Sequence, residues 1–153
     1  MKALLSIVLL LAFGAGVWGN TSEEIDAAFT PEKVKEYVEA AENGEAWAQY
    51  NLGLAYSFGR GVPEDDKEGV KWYSMAAEQG NVDAQFNLGV MYKYGKGVPE
   101  DDKEAVKWWR KAAEQGHADA QWLIGYAYEQ GNEVPKDDKE AFKWYRKAAE
   151  QGH

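Results

Sequence analysis

Apolar side chains recur at every third or fourth position along most of the chain, the spacing that places residues on one face of an α-helix. Ala48, Leu52 and Tyr56 share such a face, which predicts a first helix over residues 46–58. The turn that follows, residues 59–63, is rich in glycine and ends in proline. We expect the helix to end there, because both residue types interrupt helical structure.

A second helix is predicted to begin at Asp65 or Asp66. An aspartate at this position accepts hydrogen bonds from the first backbone N–H groups of a helix. Glu68 follows Asp65 by three residues, the spacing of a capping box with Asp in place of Ser or Thr. Trp72 and Ala76 belong to the inner stripe of this helix. The two helices form a hairpin that cannot bury its apolar face alone.

The hairpin pattern repeats with a period of 36 residues, and each copy ends in Ala-Ala-Glu-Gln-Gly, at residues 76–80, 112–116 and 148–152. The chain divides into a signal segment, an N-terminal part with a capping helix and half a repeat, and three full repeats: residues 1–19, 20–44, 45–80, 81–116 and 117–153. Stacked hairpins bury one another's apolar faces. The sequence therefore predicts an all-α fold, an α-α superhelix (solenoid) of antiparallel helix hairpins.

The first nineteen residues have the pattern of a secretory signal peptide. A positive start, Met1-Lys2, precedes the apolar run 3–13, and small residues lead to a cleavage site after Gly19. The alternative is a retained membrane anchor, but the strong apolar run of about ten residues is short against the ~20 that span a bilayer. We expect a periplasmic or secreted protein with no stable membrane insertion after cleavage.

Composition excludes several kinds of site. The chain has no cysteine, so disulfides, thiolate zinc sites and a cysteine nucleophile are impossible. Its 26 acidic and 17 basic residues give a net charge of −9, which argues against nucleic acid as a partner. An acidic surface favours a basic protein or peptide partner instead.

No group of residues has the pattern of a catalytic or metal site. The aspartate pairs at 65/66, 101/102 and 137/138 stand at the same repeat position before a helix, so capping explains them. His117 and His153 occupy the loop position that Asn81 holds in another copy, and we expect that position to be solvated. Two isolated histidines do not make a metal site. We predict no catalytic residue, no metal and no cofactor.

The repeated motif resembles the Sel-one-like repeat family, a relative of the tetratricopeptide repeats. In the second copy the motif consists of Ala84-Gln85, Leu88-Gly89, Tyr92, Gly95, Gly97-Val98-Pro99, Asp102, Ala105, Trp108, Ala112-Ala113 and Gly116. The resemblance implies a right-handed superhelix whose first helices line a concave face, and an adaptor function. Asn132-Glu133 replaces the second turn glycine in the third copy, so we expect that turn to differ in shape.

The candidate partner-binding residues are those that the resemblance places on the concave face, and many are aromatic. They are Trp47, Tyr50, Asn51, Leu54, Phe58, Phe86, Asn87, Val90, Tyr94, Trp122 and Tyr126. Aromatic anchors within a polar rim are typical of binding hot spots, and the asparagine amides could bond a peptide backbone. The alternative for the residues at positions 50, 86 and 122 is packing between helices. The residues at 47, 58 and 94 vary more between copies and are the sharper candidates.

These observations predict an exported, non-catalytic protein-interaction module of the bacterial envelope, with inhibition of a toxin or immunity to one as a specific hypothesis. One alternative is a hydrolase acting on cell-wall material or β-lactams, as suggested for some cysteine-rich proteins with these repeats. Another is a structural role through end-to-end assembly. The outer side of residues 141–149 is expected to be exposed, so self-association or partner docking there stays open.

Overall fold

The computed structural model describes residues 27–152, and all regular structure in that range is helical. The helices are α1 (Pro31–Glu42), α2 (Ala46–Phe58), α3 (Asp66–Glu78), α4 (Val82–Tyr94), α5 (Asp102–Glu114), α6 (Ala118–Gln130) and α7 (Asp138–Ala149). The predicted signal segment and most of the predicted capping helix lie outside the described residues. Within residues 27–152, no helix combines the length and the apolar character that crossing a membrane requires.

The helices form a stack of hairpins, as the repeat predicts. Helices α2 and α3, α4 and α5, and α6 and α7 pair within the repeats, and each hairpin packs on the next through a second helix and the following first helix. Helix α1 packs against α2 in the same way and so acts as the second helix of a half repeat. Thr30 caps α1 and Pro31 begins it, in agreement with the sequence pattern.

Aspartates cap the second helix of every full repeat. The side chains of Asp65, Asp101 and Asp137 each accept hydrogen bonds from two backbone N–H groups, those of the residues two and three positions later. The distances lie between 2.9 and 3.2 Å. The capping interpretation of these acidic positions is therefore confirmed.

A glycine in each first helix allows the paired helix to approach closely. A Cβ atom on Gly53 would lie 2.3 Å from the Tyr73 ring, and one on Gly89 would lie 2.5 Å from the Trp109 indole. The same arrangement recurs at Gly125 in the third repeat. These glycines are therefore part of the packing of each hairpin, because any side chain would displace the aromatic ring.

Two expectations about single positions are wrong. Glu133 adopts φ 57°, close to the 69° and 70° of Gly61 and Gly97, so the third turn keeps the left-handed residue at the cost of backbone strain. The position of His117 is not solvated, because its side chain is only 8% exposed. Its Nδ1 accepts the Ala120 N–H at 3.3 Å and caps α6.

Candidate protein-interaction surfaces

Exposed aromatic side chains lie on the first helices of the repeats. Trp47 in α2 is 51% exposed and Tyr94 at the end of α4 is 37% exposed. Phe58 is half-buried, with the Arg60 guanidinium 5.4 Å from its ring centroid. We call Trp47, Asn51, Phe58, Val90 and Tyr94 the first-helix face; Asn51 and Val90 are half-buried members of it. The Asn51 amide nitrogen donates to the Trp47 carbonyl at 2.9 Å.

Three candidate residues are not available to a partner, which corrects the sequence-based assignment. Leu54 is 8% exposed, Phe86 is 1% and Asn87 is 4%. The ring of Phe86 stacks on His117 of the following repeat, with centroids 4.4 Å apart and planes 13° apart. The packing alternative is therefore the right one for Phe86, and the Asn87 amide is buried away from any peptide in solvent.

Tyr50 is intermediate in exposure between the exposed and the buried candidate residues. Its side chain is half-buried, and its ring centroid is 6.1 Å from that of Tyr73. Burial raises the pKa of the Tyr50 phenol, and Asp83 of the following repeat adds to the increase. Tyr50 therefore packs against the second helix of its own hairpin more than it presents a free surface.

The charges of the first helices are predominantly negative. Helix α2 has no charged residue, and α4 and α6 contribute the carboxylates of Asp83, Asp119 and Glu129. Lys93 is the one basic residue of the three helices, and its amino group bonds both Asp102 carboxylate oxygens at 2.8 and 2.9 Å. The three first helices therefore carry three carboxylates against one basic group.

A second aromatic surface lies on the last hairpin. We call Trp122, Tyr126, Phe142, Tyr145 and Ala149 the end face. Trp122 and Tyr126 are 40% and 42% exposed and stack with ring centroids 5.7 Å apart, and Phe142 is 66% exposed. The Tyr145 hydroxyl donates to Glu129 at 3.1 Å; burial first, and then this hydrogen bond, raise the pKa of Tyr145 to about 12. The expected exposure of the outer side of residues 141–149 is confirmed at positions 142 and 149.

Phe142 and Tyr145 are missing from the residues selected on the sequence. Aligning the repeats could have found Phe142, since Val70 and Val106 hold the same position and are 8% and 9% exposed. Phe142 is larger than these valines and is exposed. It therefore lies on a surface that is exposed in the third hairpin, whereas the equivalent surfaces of the first two hairpins are buried.

A ladder of glutamine side chains connects the repeats, a role that the sequence pattern did not reveal. In each repeat one glutamine of the first helix donates to a carbonyl of the preceding second helix: Gln49 to Ala41 at 3.2 Å, Gln85 to Ala77 at 3.1 Å and Gln121 to Ala113 at 3.1 Å. The side-chain oxygens of these three glutamines also accept hydrogen bonds. Their donors are the side-chain amides of Gln79, Gln115 and Gln151, at 2.7–2.8 Å. These buried polar groups fix the register of one repeat on the next.

The remaining repeated tryptophans are structural. Trp72, Trp108 and Trp144 of the second helices are buried, and lysine amino groups lie over their rings at 5.0, 4.1 and 4.3 Å from the centroids. In such contacts the lysine side chains cover the ring faces, and their amino groups stay in solvent. Among residues 27–152, no group of His, Asp or Glu side chains could hold a metal ion.

Comparison with protein-family models decides the family. The Sel1 repeat model matches residues 48–81, 82–117 and 118–153. This chain belongs to the Sel1 repeat family. Sel1 repeats are protein-interaction modules that are generally non-catalytic, so the coarse function of the chain is protein binding.

Solved structures agree with this assignment. The chain is 42% identical to a protective antigen of uropathogenic Escherichia coli strains that displays an SLR fold, with a TM-score of 0.74, over 78% of this chain and 26% of that one. This Sel1 chain therefore spans about a quarter of that antigen. It is also 42% identical to a Sel1 repeat protein from Oxalobacter formigenes, with a TM-score of 0.72, over 77% of this chain and 90% of that one.

A third similarity is to the fold alone. Cysteine rich protein B of Helicobacter pylori is 24% identical to this Sel1 chain, with a TM-score of 0.62, over 88% of this chain and 93% of that one. No curated protein sequence matches the chain.

Proposed function

We propose that this Sel1 chain is an exported interaction module that binds a protein or peptide partner of basic character through its first-helix face. The observation that carries the proposal is the exposure of Trp47 and Tyr94 on first helices, which together carry three carboxylates and one lysine. Large aromatic side chains at a surface supply contact area with little loss of side-chain entropy. The net charge of −9 attracts a basic partner and raises its association rate at low salt.

Export is the second part of the proposal, and it rests on the signal-like pattern of residues 1–19. Expression in a bacterial host, followed by fractionation and N-terminal sequencing, tests it. A mature chain that begins at Asn20 in the periplasm or medium supports export by cleavage. A chain that keeps Met1 and sediments with the membrane supports the anchored alternative.

Affinity capture from envelope extract, read by mass spectrometry, tests the binding surface. The baits are the wild-type chain and the Trp47→Ala/Tyr94→Ala double variant. Met75→Ala is the matched control, because Met75 is 40% exposed but belongs to the second helix α3. We expect one stoichiometric partner, retained by the control and lost by the double variant, with binding that weakens as salt increases.

Truncating an aromatic hot spot costs roughly 2 kcal/mol or more, which is about thirtyfold in affinity. A partner bound equally by the double variant would show that the first-helix face is not the binding surface. Circular dichroism confirms that the variants keep the wild-type helicity.

Within this class, inhibition of a basic secreted toxin, or immunity to one, is the specific form that the net negative charge of the chain suits. A tight one-to-one complex with a single basic protein supports it, and many weak partners contradict it. The module acts without catalysis in this proposal. Turnover of a chromogenic β-lactam, or release of cell-wall fragments, by the chain purified from a host without those activities would refute this part.

A further inference from the structure

The end face repeats the positions that the earlier hairpins use to bind the next repeat. Ala77 and Ala113 are 2% and 1% exposed beneath the following first helix, whereas Ala149, in the same position, is exposed. Phe142 likewise takes the position of two buried valines. The third hairpin therefore presents an inter-repeat surface that no other part of residues 27–152 covers.

The hydrogen-bond ladder continues to this surface. Gln85 and Gln121 each donate a side-chain amide to the carbonyl of Ala77 or Ala113. The Ala149 carbonyl is the next acceptor in this series. Among the described residues, it receives the Gly152 backbone N–H at 3.0 Å but no side-chain amide. A helix docked on the end face could supply that donor.

An arginine marks a second contact for such a helix. The Arg110 side chain of α5 packs on Tyr128 of the following first helix, with its guanidinium carbon 5.4 Å from the ring centroid and its nitrogen 3.2 Å from the hydroxyl. Arg146 holds the same position in α7, and its side chain is 65% exposed beside Glu150. A tyrosine on a helix docked at the end face could contact Arg146 as Tyr128 contacts Arg110.

Helices α4 and α6, which cover the equivalent faces, define what fits here. Each carries a buried glutamine, a fully buried Leu88 or Ile124 three residues later, and a tyrosine seven residues after the glutamine. The exposed fractions of Trp122, Tyr126 and Phe142 correspond to about 300 Å² of aromatic surface, enough for a functional patch on a monomer.

We propose that the end face is a second docking site, and that its occupant is an α-helix of a different protein, not of a second copy of this chain, with a side-chain amide, an aliphatic residue and a tyrosine at positions i, i+3 and i+7. A first helix of another Sel1-type repeat has this pattern. The inference goes beyond the first-helix proposal, because it concerns different residues and a different recognition chemistry.

A peptide copy of residues 79–97 is the probe, since it contains α4 with its caps and has no tryptophan. The peptide is titrated into the purified, isotope-labelled chain and followed by amide chemical shifts and by tryptophan emission. We expect saturable binding below about millimolar peptide, with shifts centred on Trp122 and Ala149. Phe142→Asp should weaken it at least tenfold, and a Leu88→Asp peptide should not bind.

Trp47→Ala is the matched control in the protein and should leave peptide binding unchanged. This control also separates the two proposals, because loss of the envelope partner by the Trp47/Tyr94 variant says nothing about the end face. Binding that Phe142→Asp leaves intact would overturn the proposed site.

A tethered variant tests the same contact if the free peptide is too poorly helical to bind. A copy of residues 82–96, which has no tryptophan, is appended after His153, which occupies the repeat position of Asn81. We expect a higher unfolding midpoint and a blue shift of tryptophan emission, both removed by Phe142→Asp. No change in either property would overturn the proposal. So would sedimentation of the unmodified chain as a dimer that Phe142→Asp converts to monomer, because a second copy would then be the occupant.

Discussion

Replacing Gln85 by methionine tests whether the glutamine ladder holds the repeats together. The side chain is 4% exposed, donates to the Ala77 carbonyl at 3.1 Å and accepts from Gln115 at 2.8 Å. Methionine has a similar length but can replace neither bond. In this variant the Ala77 carbonyl still accepts the Gly80 N–H, and the Gln115 amide still donates to the Gly80 carbonyl. Neither former partner of Gln85 therefore loses every hydrogen bond. At ~1 kcal/mol for each bond, the free energy of unfolding should fall by ~2 kcal/mol.

Urea denaturation followed by circular dichroism measures this loss. A double-mutant cycle with Gln115→Met isolates the bond between the two side chains, for which we expect a coupling of about 1 kcal/mol. Gln130→Met is the control, because Gln130 is exposed and bonds only the neighbouring Glu129 in the described structure. A loss below about 0.5 kcal/mol for Gln85→Met, no larger than for Gln130→Met, would refute the structural role of the ladder.

Three further predictions concern packing, capping and pH. Gly89→Ala should lower the free energy of unfolding by about 1–2 kcal/mol in urea denaturation, because its Cβ would lie 2.5 Å from the Trp109 indole; a Trp109→Leu second change should recover part of the loss. His117→Ala should lower the thermal midpoint through loss of an N-cap worth about 1 kcal/mol and of ring stacking, whereas His117→Asn should retain the cap; equal midpoints for the two variants would contradict this. Burial raises the pKa of Tyr73 above that of an unfolded tyrosine, near 10, so stability should be intact below about pH 10 and fall as pH rises further; an equal fall in the Tyr73→Phe variant would contradict this.

Local patterns predicted the helices because their causes are local. The spacing of Ala48, Leu52 and Tyr56 placed a helix over residues 46–58, and α2 has those bounds. Asp65 was identified as a cap because the acceptor and its N–H donors are two and three residues apart. The repeat then extended both features along the chain, and the fold followed from stacking the hairpins.

The candidate surface was less predictable, because exposure depends on which neighbour covers a side chain. Phe86 and Trp122 occupy the same repeat position, yet one is 1% exposed and the other is 40% exposed. A single-helix pattern cannot separate them, since the difference arises from the repeat that packs on Phe86. The burial of His117 is not visible in the sequence pattern for the same reason, because it comes from a ring in the preceding repeat.

The glutamine ladder was hidden by a different cause. Gln49, Gln85 and Gln121 are polar, and a polar residue within an amphipathic pattern is assigned to the solvent side. Their burial is favourable only because carbonyls of the preceding second helix and glutamines of their own repeat complete their hydrogen bonds. That information lies in contacts between residues 8 and 30 positions apart.

The ladder also bears on how such a chain changes length during evolution. Its donors and acceptors recur every 36 residues, so an in-frame duplication or deletion of one such block would reconnect each glutamine to an equivalent carbonyl. The new junction would use contacts already present elsewhere in the molecule and would require no compensating substitutions. Repeat number can therefore vary between descendants of one ancestral gene, with stability changing by nearly equal steps.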